Sequence, residues 1–253
     1  MMKYDVCTDA VYEQIDILEA MKRIHDIGFS SYEFWTWWDK DLEAIKKEQD
    51  ELGMNCAAIC AKFSYSTGDS THRKEYLSDF RKSIGAAKML GCKKLIVQAG
   101  WEVPEVSHEE HRHNFIETVK QAAPIAAEEN IMLVIEPLNI KVDHAGYNLW
   151  DTVDAFKVID EIGKPNVKIL FDIYHQQISN GFIIGSIRQN LDKIGHIHVA
   201  GCPGRHEITT GELNYHAIFE ALEEMKYQEY IGLEYFTDND KEQGLKDAQK
   251  LFV

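Results

Sequence analysis

The sequence predicts an α/β fold of a single kind, one closed (β/α)8 barrel occupying residues 1–253. Three observations carry that expectation. Short apolar runs alternate with amphipathic stretches eight times along the chain, which is the signature of repeated strand-plus-helix units. The runs are apolar almost throughout, as parallel strands covered on both faces must be. The connections are short, with no linker, low-complexity tract or shift of composition, so the units belong to one body. An open doubly wound sheet is the alternative. Eight units are many for it, and the Gly-rich phosphate fingerprint is missing after the first strand.

The units follow in order. Lys3–Thr8 reads as a strand, and Val11–Ile27 as a helix with Ile15, Leu18, Met21 and Ile24 on one face and Gly28 as its stop. Ser31–Trp35 is the second strand, and Asp39–Leu52 its helix, ended by Gly53. Met54–Ala61 is the third, followed by a helix over Thr71–Leu90 that Gly91 ends. Cys92–Ala99 with His108–Glu129, Ile131–Leu138 with Trp150–Ile162, and Val167–Tyr174 with Ile184–Lys193 make the next three units. Ile194–Ala200 with Tyr215–Lys226 and Tyr230–Phe236 with Lys241–Leu251 complete the eight.

Composition bounds the chemistry. With 45% hydrophobic and 27% charged residues the chain is an ordinary globular one, and no apolar run approaches the roughly 20 residues of a membrane span. The start MMKYDVCTDAVYEQ lacks the basic and apolar regions of a secretory signal, so a cytoplasmic protein is expected. Five cysteines without a CxxC pair, mostly inside strand-like runs, suit buried reduced thiols. The formal charge of −15 argues against nucleic acid as a partner. It also means that an anionic substrate needs a locally positive site. Trp37 and Trp38 hint at a homo-oligomer.

Active sites of such barrels lie at the carboxyl ends of the strands, so a charged residue ending an apolar run is the feature to seek. Four consecutive strands supply one: Glu136 in LVIEPLN, Asp172 in ILFDIYH, His198 in HIHVA and Glu234 in IGLEYF. A lone charge there costs several kcal/mol unless it is paired or bound to a metal. Three carboxylates and an imidazole meeting on one arc raise one another's pKa unless a cation lies between them. A divalent ion resolves the conflict. Mainly oxygen donors with one nitrogen favour Mn, Mg or Co, with Zn possible. Each residue taken singly could equally be a salt-bridged or capping group; the repetition on successive strands is what favours a site.

His175 follows Asp172, and Arg205 with His206 lies in the loop after the seventh strand, where the arginine suits a substrate carboxylate or hydroxyls. A bridge from Arg205 to Glu207 is the simpler reading. Lys62 and Gln98 are weaker candidates for substrate contact and Glu33 a weaker one again. Trp35 and its neighbours suit a pocket wall. His196, two residues before His198, shares its side of the strand and suits the core. His108, His111 and His113, opening an acidic helix, read as a solvated face rather than a metal cluster.

IEPLN, FDIYH, GHIHVAGCPGRHEITTGELNY and GLEY, in that order, resemble the motifs of the hydroxypyruvate isomerase family, within the xylose isomerase-like superfamily of TIM barrels. The match is specific from about Ile131 to Phe236 and general before it. The resemblance implies that Glu136, Asp172, His198 and Glu234 hold a divalent ion and that the two glutamates form the acid/base pair. It further implies that His175 and Arg205 contact a small hydroxy-keto acid or carbohydrate. The expected reaction interconverts ketone and aldehyde by proton transfer through an enediolate, as with hydroxypyruvate or a related oxo-tetronate. One departure is informative: many members of the family carry glutamine at the position of His198, whereas ketose 3-epimerases of the superfamily carry histidine. A 3-epimerase therefore stands as the nearest alternative. A DNA endonuclease of the superfamily, which the charge opposes, and a barrel that binds sugar without catalysis stand behind it.

Overall fold

Residues 2–238 and 240–252 are described by a computed structural model. Eight parallel strands close into a barrel in sequence order. They are β1 (Lys3–Cys7), β2 (Ser31–Phe34), β3 (Asn55–Cys60), β4 (Lys94–Gln98), β5 (Met132–Glu136), β6 (Val167–Asp172), β7 (Ile194–Val199) and β8 (Tyr230–Leu233). Closure comes from β1 lying beside β8, with Lys3 opposite Tyr230 and Val6 opposite Leu233. The helices are α1 (Thr8–Val11), α2 (Ile17–Ile27), α3 (Leu42–Leu52), α4 (Arg73–Leu90), α5 (His108–Ala127), α6 (Thr152–Ile162), α7 (Ile173–Ser179), α8 (Ile183–Asn190), α9 (Tyr215–Glu224) and α10 (Lys241–Gln249). No helix among the described residues is long and apolar enough to cross a membrane.

Two of the differences from the sequence expectation come through a capping aspartate. The first long helix begins at Ile17 because the Asp16 side chain accepts from the backbone N–H of Leu18 and Glu19, leaving Thr8–Val11 as a separate turn. The sixth strand stops at Asp172, whose Oδ1 accepts from His175 N at 3.1 Å and starts α7, so Ile173 and Tyr174 are helical. The helices α2, α3, α4 and α6 end on left-handed glycines, as the sequence foretells.

The main core lies between the strands and the helix ring. A smaller apolar column of Ala58, Cys60, Ile96, Val134 and Leu170 fills the barrel itself and packs against Trp35 at its upper end. The five cysteines are buried and free. Between β6 and β7 the register slips, with Ile169 opposite Ile194 and Leu170 opposite His196. The residue left over is Gly195, where a Cβ would come within 2.5 Å of Met132 Sδ.

Candidate metal centre and active site

Strand register brings the expected residues to one end of the barrel. Gln98 lies opposite Glu136, Asp172 lies opposite His198, and Leu233, opposite Val199, delivers Glu234 just past the last pair. All four are buried, and one donor atom from each of Glu136, Asp172, His198 and Glu234 lies within 4.8 Å of the others. Nδ1 of His198 stands 3.6 Å from Glu136 Oε1 and 3.2 Å from Glu234 Oε2.

The donor set fits a divalent cation. Glu136 Oε1, Asp172 Oδ2 and His198 Nδ1 are buried atoms without a well-formed hydrogen bond, and they face one another. Buried polar atoms left without a hydrogen bond are costly in a protein interior, and such atoms on residues clustered this closely suit an ion with oxygen and nitrogen ligands.

Electrostatics show the same strain. Burial raises the Glu136 carboxyl to about 7, with Glu234 and Asp172 adding to the push against His198. Burial also raises Asp172, although Arg205 opposes it. Glu234 goes the other way: burial would raise it, but His198 and Arg205 outweigh that and hold it below the usual carboxylate range. The Arg205 guanidinium reaches Glu234 Oε2 directly and lies 3.5 Å from Asp172 Oδ2. It also sits over the rings of Tyr174 and Phe236, at 5.6 and 5.7 Å. Its backbone is left-handed, with φ of 58°, so the loop aims the side chain inward at a cost in strain. The bridge to Glu207 considered from sequence does not form; the arginine serves the site carboxylates instead.

His175, from the first turn of α7, completes the inner wall. Asn139 Nδ2 lies 2.7 Å from His175 Nδ1, while Asn139 Oδ1 accepts from Val142 N at 3.0 Å, so the amide donates to the ring. Nδ1 is therefore the acceptor, and the ring carries its proton on Nε2, 3.6 Å from Asp172 Oδ2. Burial and the nearby Arg205 hold this imidazole neutral, well below its ordinary pKa. Asn139 was legible only as part of the IEPLN motif. Trp35 was foreseen as a wall residue, yet its Nε1 donates to Glu234 Oε1 at 2.6 Å.

A cavity of about 360 Å³ opens over these groups, bounded by Trp35, Gln98, Leu138, His144, His175 and Phe236 among others. A second cavity of about 210 Å³, sharing Phe63 and Gln98 with it, extends toward Trp101. Lys62, expected from sequence to contact substrate, is absent from both linings, and its Nζ lies 3.8 Å from Asp79 Oδ2 on α4. The expectation of a solvated histidine face holds for His108 and His113 but fails for His111. That ring is buried, with Nε2 2.9 Å from the carbonyl of Trp101. The loop after β4 folds over the start of α5, which periodicity alone does not reveal. Trp38 packs edge-on against Phe63 at 5.0 Å, and Trp37 packs against the core.

Glu33, a marginal candidate from sequence, is 1% exposed and touches both strand-seven histidines. Its Oε2 is 3.0 Å from His196 Nε2, and its Oε1 is 2.9 Å from His198 Nε2.

Comparison with known proteins places the chain. Residues 21–253 match the family described as xylose isomerase-like TIM barrel. The chain is 31% identical to the hydroxypyruvate isomerase of Escherichia coli (strain K12) over 256 residues, covering 97% of this chain and 98% of that protein. It is 29% identical to the 2-oxo-tetronate isomerase of Cupriavidus necator, covering 93% of each. Among solved structures, a family 2 AP endonuclease from Brucella melitensis superposes with a TM-score of 0.93 over the whole of both chains at 24% identity, a likeness of fold. The chain belongs to the hydroxypyruvate isomerase family of xylose isomerase-like TIM barrels, and it is an isomerase of that family.

Proposed function

We propose that this isomerase moves the carbonyl of a 2-keto-3-hydroxy acid from carbon 2 to carbon 3, giving the aldehyde tartronate semialdehyde from hydroxypyruvate or, from a related 2-oxo-tetronate, the 3-oxo-tetronate. The observation that carries the reading is the pair Glu136 and Glu234, on separate strands with His198 between them, at the floor of a cavity that also holds Arg205 and His175. A substrate carboxylate pairs with the Arg205 guanidinium, the positive group that a chain of formal charge −15 needs in order to attract an anion. His175 donates its Nε2 proton to a substrate oxygen, since its Nδ1 is held by Asn139.

One of the two glutamates removes the proton from carbon 3, and the electrons of that C–H bond form the carbon–carbon double bond of an enediolate. The other then protonates carbon 2, while the hydroxyl proton of carbon 3 passes to the oxygen on carbon 2, which becomes the new hydroxyl, and the carbon 3 oxygen becomes the new carbonyl. Glu136, Asp172, His198 and Glu234 would hold a divalent ion, which would supply Lewis acidity to the site, and the donors favour Mn, Mg or Co. Trp35 holds Glu234 in one orientation through its indole N–H. The aromatic walls Trp35 and Phe236 keep water from the reacting carbons.

The test is solvent exchange. Protein loaded with Mn²⁺ in D2O is to incorporate deuterium at carbon and yield, by NMR, an aldehyde signal from hydroxypyruvate or a 3-oxo-tetronate signal from a 2-oxo-tetronate, with EDTA abolishing both exchange and product. Aldehyde formation that survives chelation would overturn the role of the ion, and no exchange with any divalent ion would overturn proton transfer. The 3-epimerase reading draws on His198, a histidine where many members of the family have glutamine. It uses the same residues, and exchange at carbon 3 of a ketose without aldehyde would select it.

A further inference from the structure

Glu33 lies outside the proposed acid/base pair and ligand set, yet it carries a carboxylate into the barrel interior. It projects from β2, 163 residues before His196, and does not line the cavity. A buried carboxylate costs several kcal/mol unless its oxygens are satisfied. Here each oxygen faces one imidazole: Oε2 hydrogen-bonds with Nε2 of His196 at 3.0 Å, and Oε1 lies 2.9 Å from Nε2 of His198, a close ion-pair contact that is not a well-aligned hydrogen bond. The two rings stand nearly perpendicular, at 83° with centroids 5.0 Å apart, so one carboxylate meets the edges of both.

We propose that Glu33 is the positioning residue of the metal centre, fixing His198 with its Nε2 proton toward Glu33 and its Nδ1 lone pair toward Glu136 and Glu234. The inference rests on the proposed role of His198 as a metal ligand. An ionised carboxylate can only accept, so it retains the proton of whichever imidazole nitrogen faces it. The opposite nitrogen is then the one available to an ion, and Nδ1 already lies beside two carboxylates of the donor set. A carboxylate behind a ligating histidine both orients the ring and increases its basicity.

The strand opposite makes room for this pair. A Cβ on Gly232 of β8 would sit 2.9 Å from Glu33 Oε1 and 3.0 Å from His198 Cδ2. A side chain at 232 would therefore drive the carboxylate and the ring from their places. Asp5 Oδ1, 3.2 Å from the same point, closes the cluster from β1.

Three measurements on the full-length protein test the assignment. Mn²⁺ titrated calorimetrically into the wild-type protein binds, and Glu33→Gln weakens that binding about ten- to hundredfold. The melting temperature of the metal-free variant reads stability separately. A variant that melts lower but binds Mn²⁺ within twofold of wild type would reduce Glu33 to a core residue and overturn the proposal. Wild-type protein that binds no divalent ion would overturn the metal centre itself, which is a different failure. Should Glu33→Gln not fold, ¹⁵N-histidine NMR of the wild-type Zn²⁺ form decides: His198 protonated on Nε2 is expected, and protonation on Nδ1 overturns the inference. The same shift of the His198 resonances distinguishes positioning from simple packing in Glu33→Gln.

Discussion

The two halves of the barrel are built from the same unit and contribute different things. Strands β5 to β8 place Glu136, Asp172, His198 and Glu234 at their carboxyl ends, where the side chains converge. Strands β2 to β4 offer the cavity Trp35, Cys60 and Gln98, which carry no charge. Charge is present in the first half as well, as Asp5, Glu33 and Lys94, all buried within the strands themselves. The position of a charge along its strand therefore decides its work. At the strand end it meets the cavity; further back it can act only through another side chain, as Glu33 acts on His196 and His198.

The strongest way to break this division is Glu136→Gln or Glu234→Gln. Either change is expected to lower turnover of hydroxypyruvate about a thousandfold with circular dichroism unchanged, which is the scale of general acid–base catalysis. A fully active double variant would end the assignment of chemistry to the second half. A smaller effect probes the contribution of the first half: Trp35→Phe keeps the ring and removes the N–H that Glu234 accepts. Turnover is expected to fall about tenfold, equivalent to roughly 1.4 kcal/mol for a hydrogen bond to a charged group. An unchanged rate would leave Trp35 as wall alone.

Acid reads a different layer, the loops around the barrel mouth. Burial holds the His111 imidazole below its ordinary pKa, so below about pH 6.5 the unfolded chain binds a proton that the folded one refuses. Its share of stability is complete above that pH and is lost as pH falls. Melting at pH 7.5 and 5.5 is expected to show a smaller acid-induced drop in His111→Gln than in wild type; equal drops would place the loss elsewhere. The smallest effect belongs to Lys62→Ala. Because Lys62 faces Asp79 and not the cavity, kcat and KM are expected to stay within about twofold, as for surface pairs of little energetic weight. A large rise in KM would return Lys62 to the site.

Much of the arrangement was legible along the chain. Strand and helix periodicity, glycine stops and an unpaired charge at the end of an apolar run are local signals, each readable within about ten residues. They specified the eight units and singled out Glu136, Asp172, His198 and Glu234, because a charge in such a run demands a partner and the repetition around the barrel supplies one. Other roles depend on contacts between distant segments. Glu33 finds His196 across 163 positions, and Trp35 finds Glu234 across 199. Lys62 turns outward to Asp79, and the loop carrying Trp101 covers His111. The sequence by itself determined the barrel and the identity of its charged strand ends, since burial of apolar surface and the cost of lone charges act locally. Only the tertiary structure decided which nitrogen of each histidine faces a carboxylate, because that depends on how strands distant in sequence stand across a closed sheet.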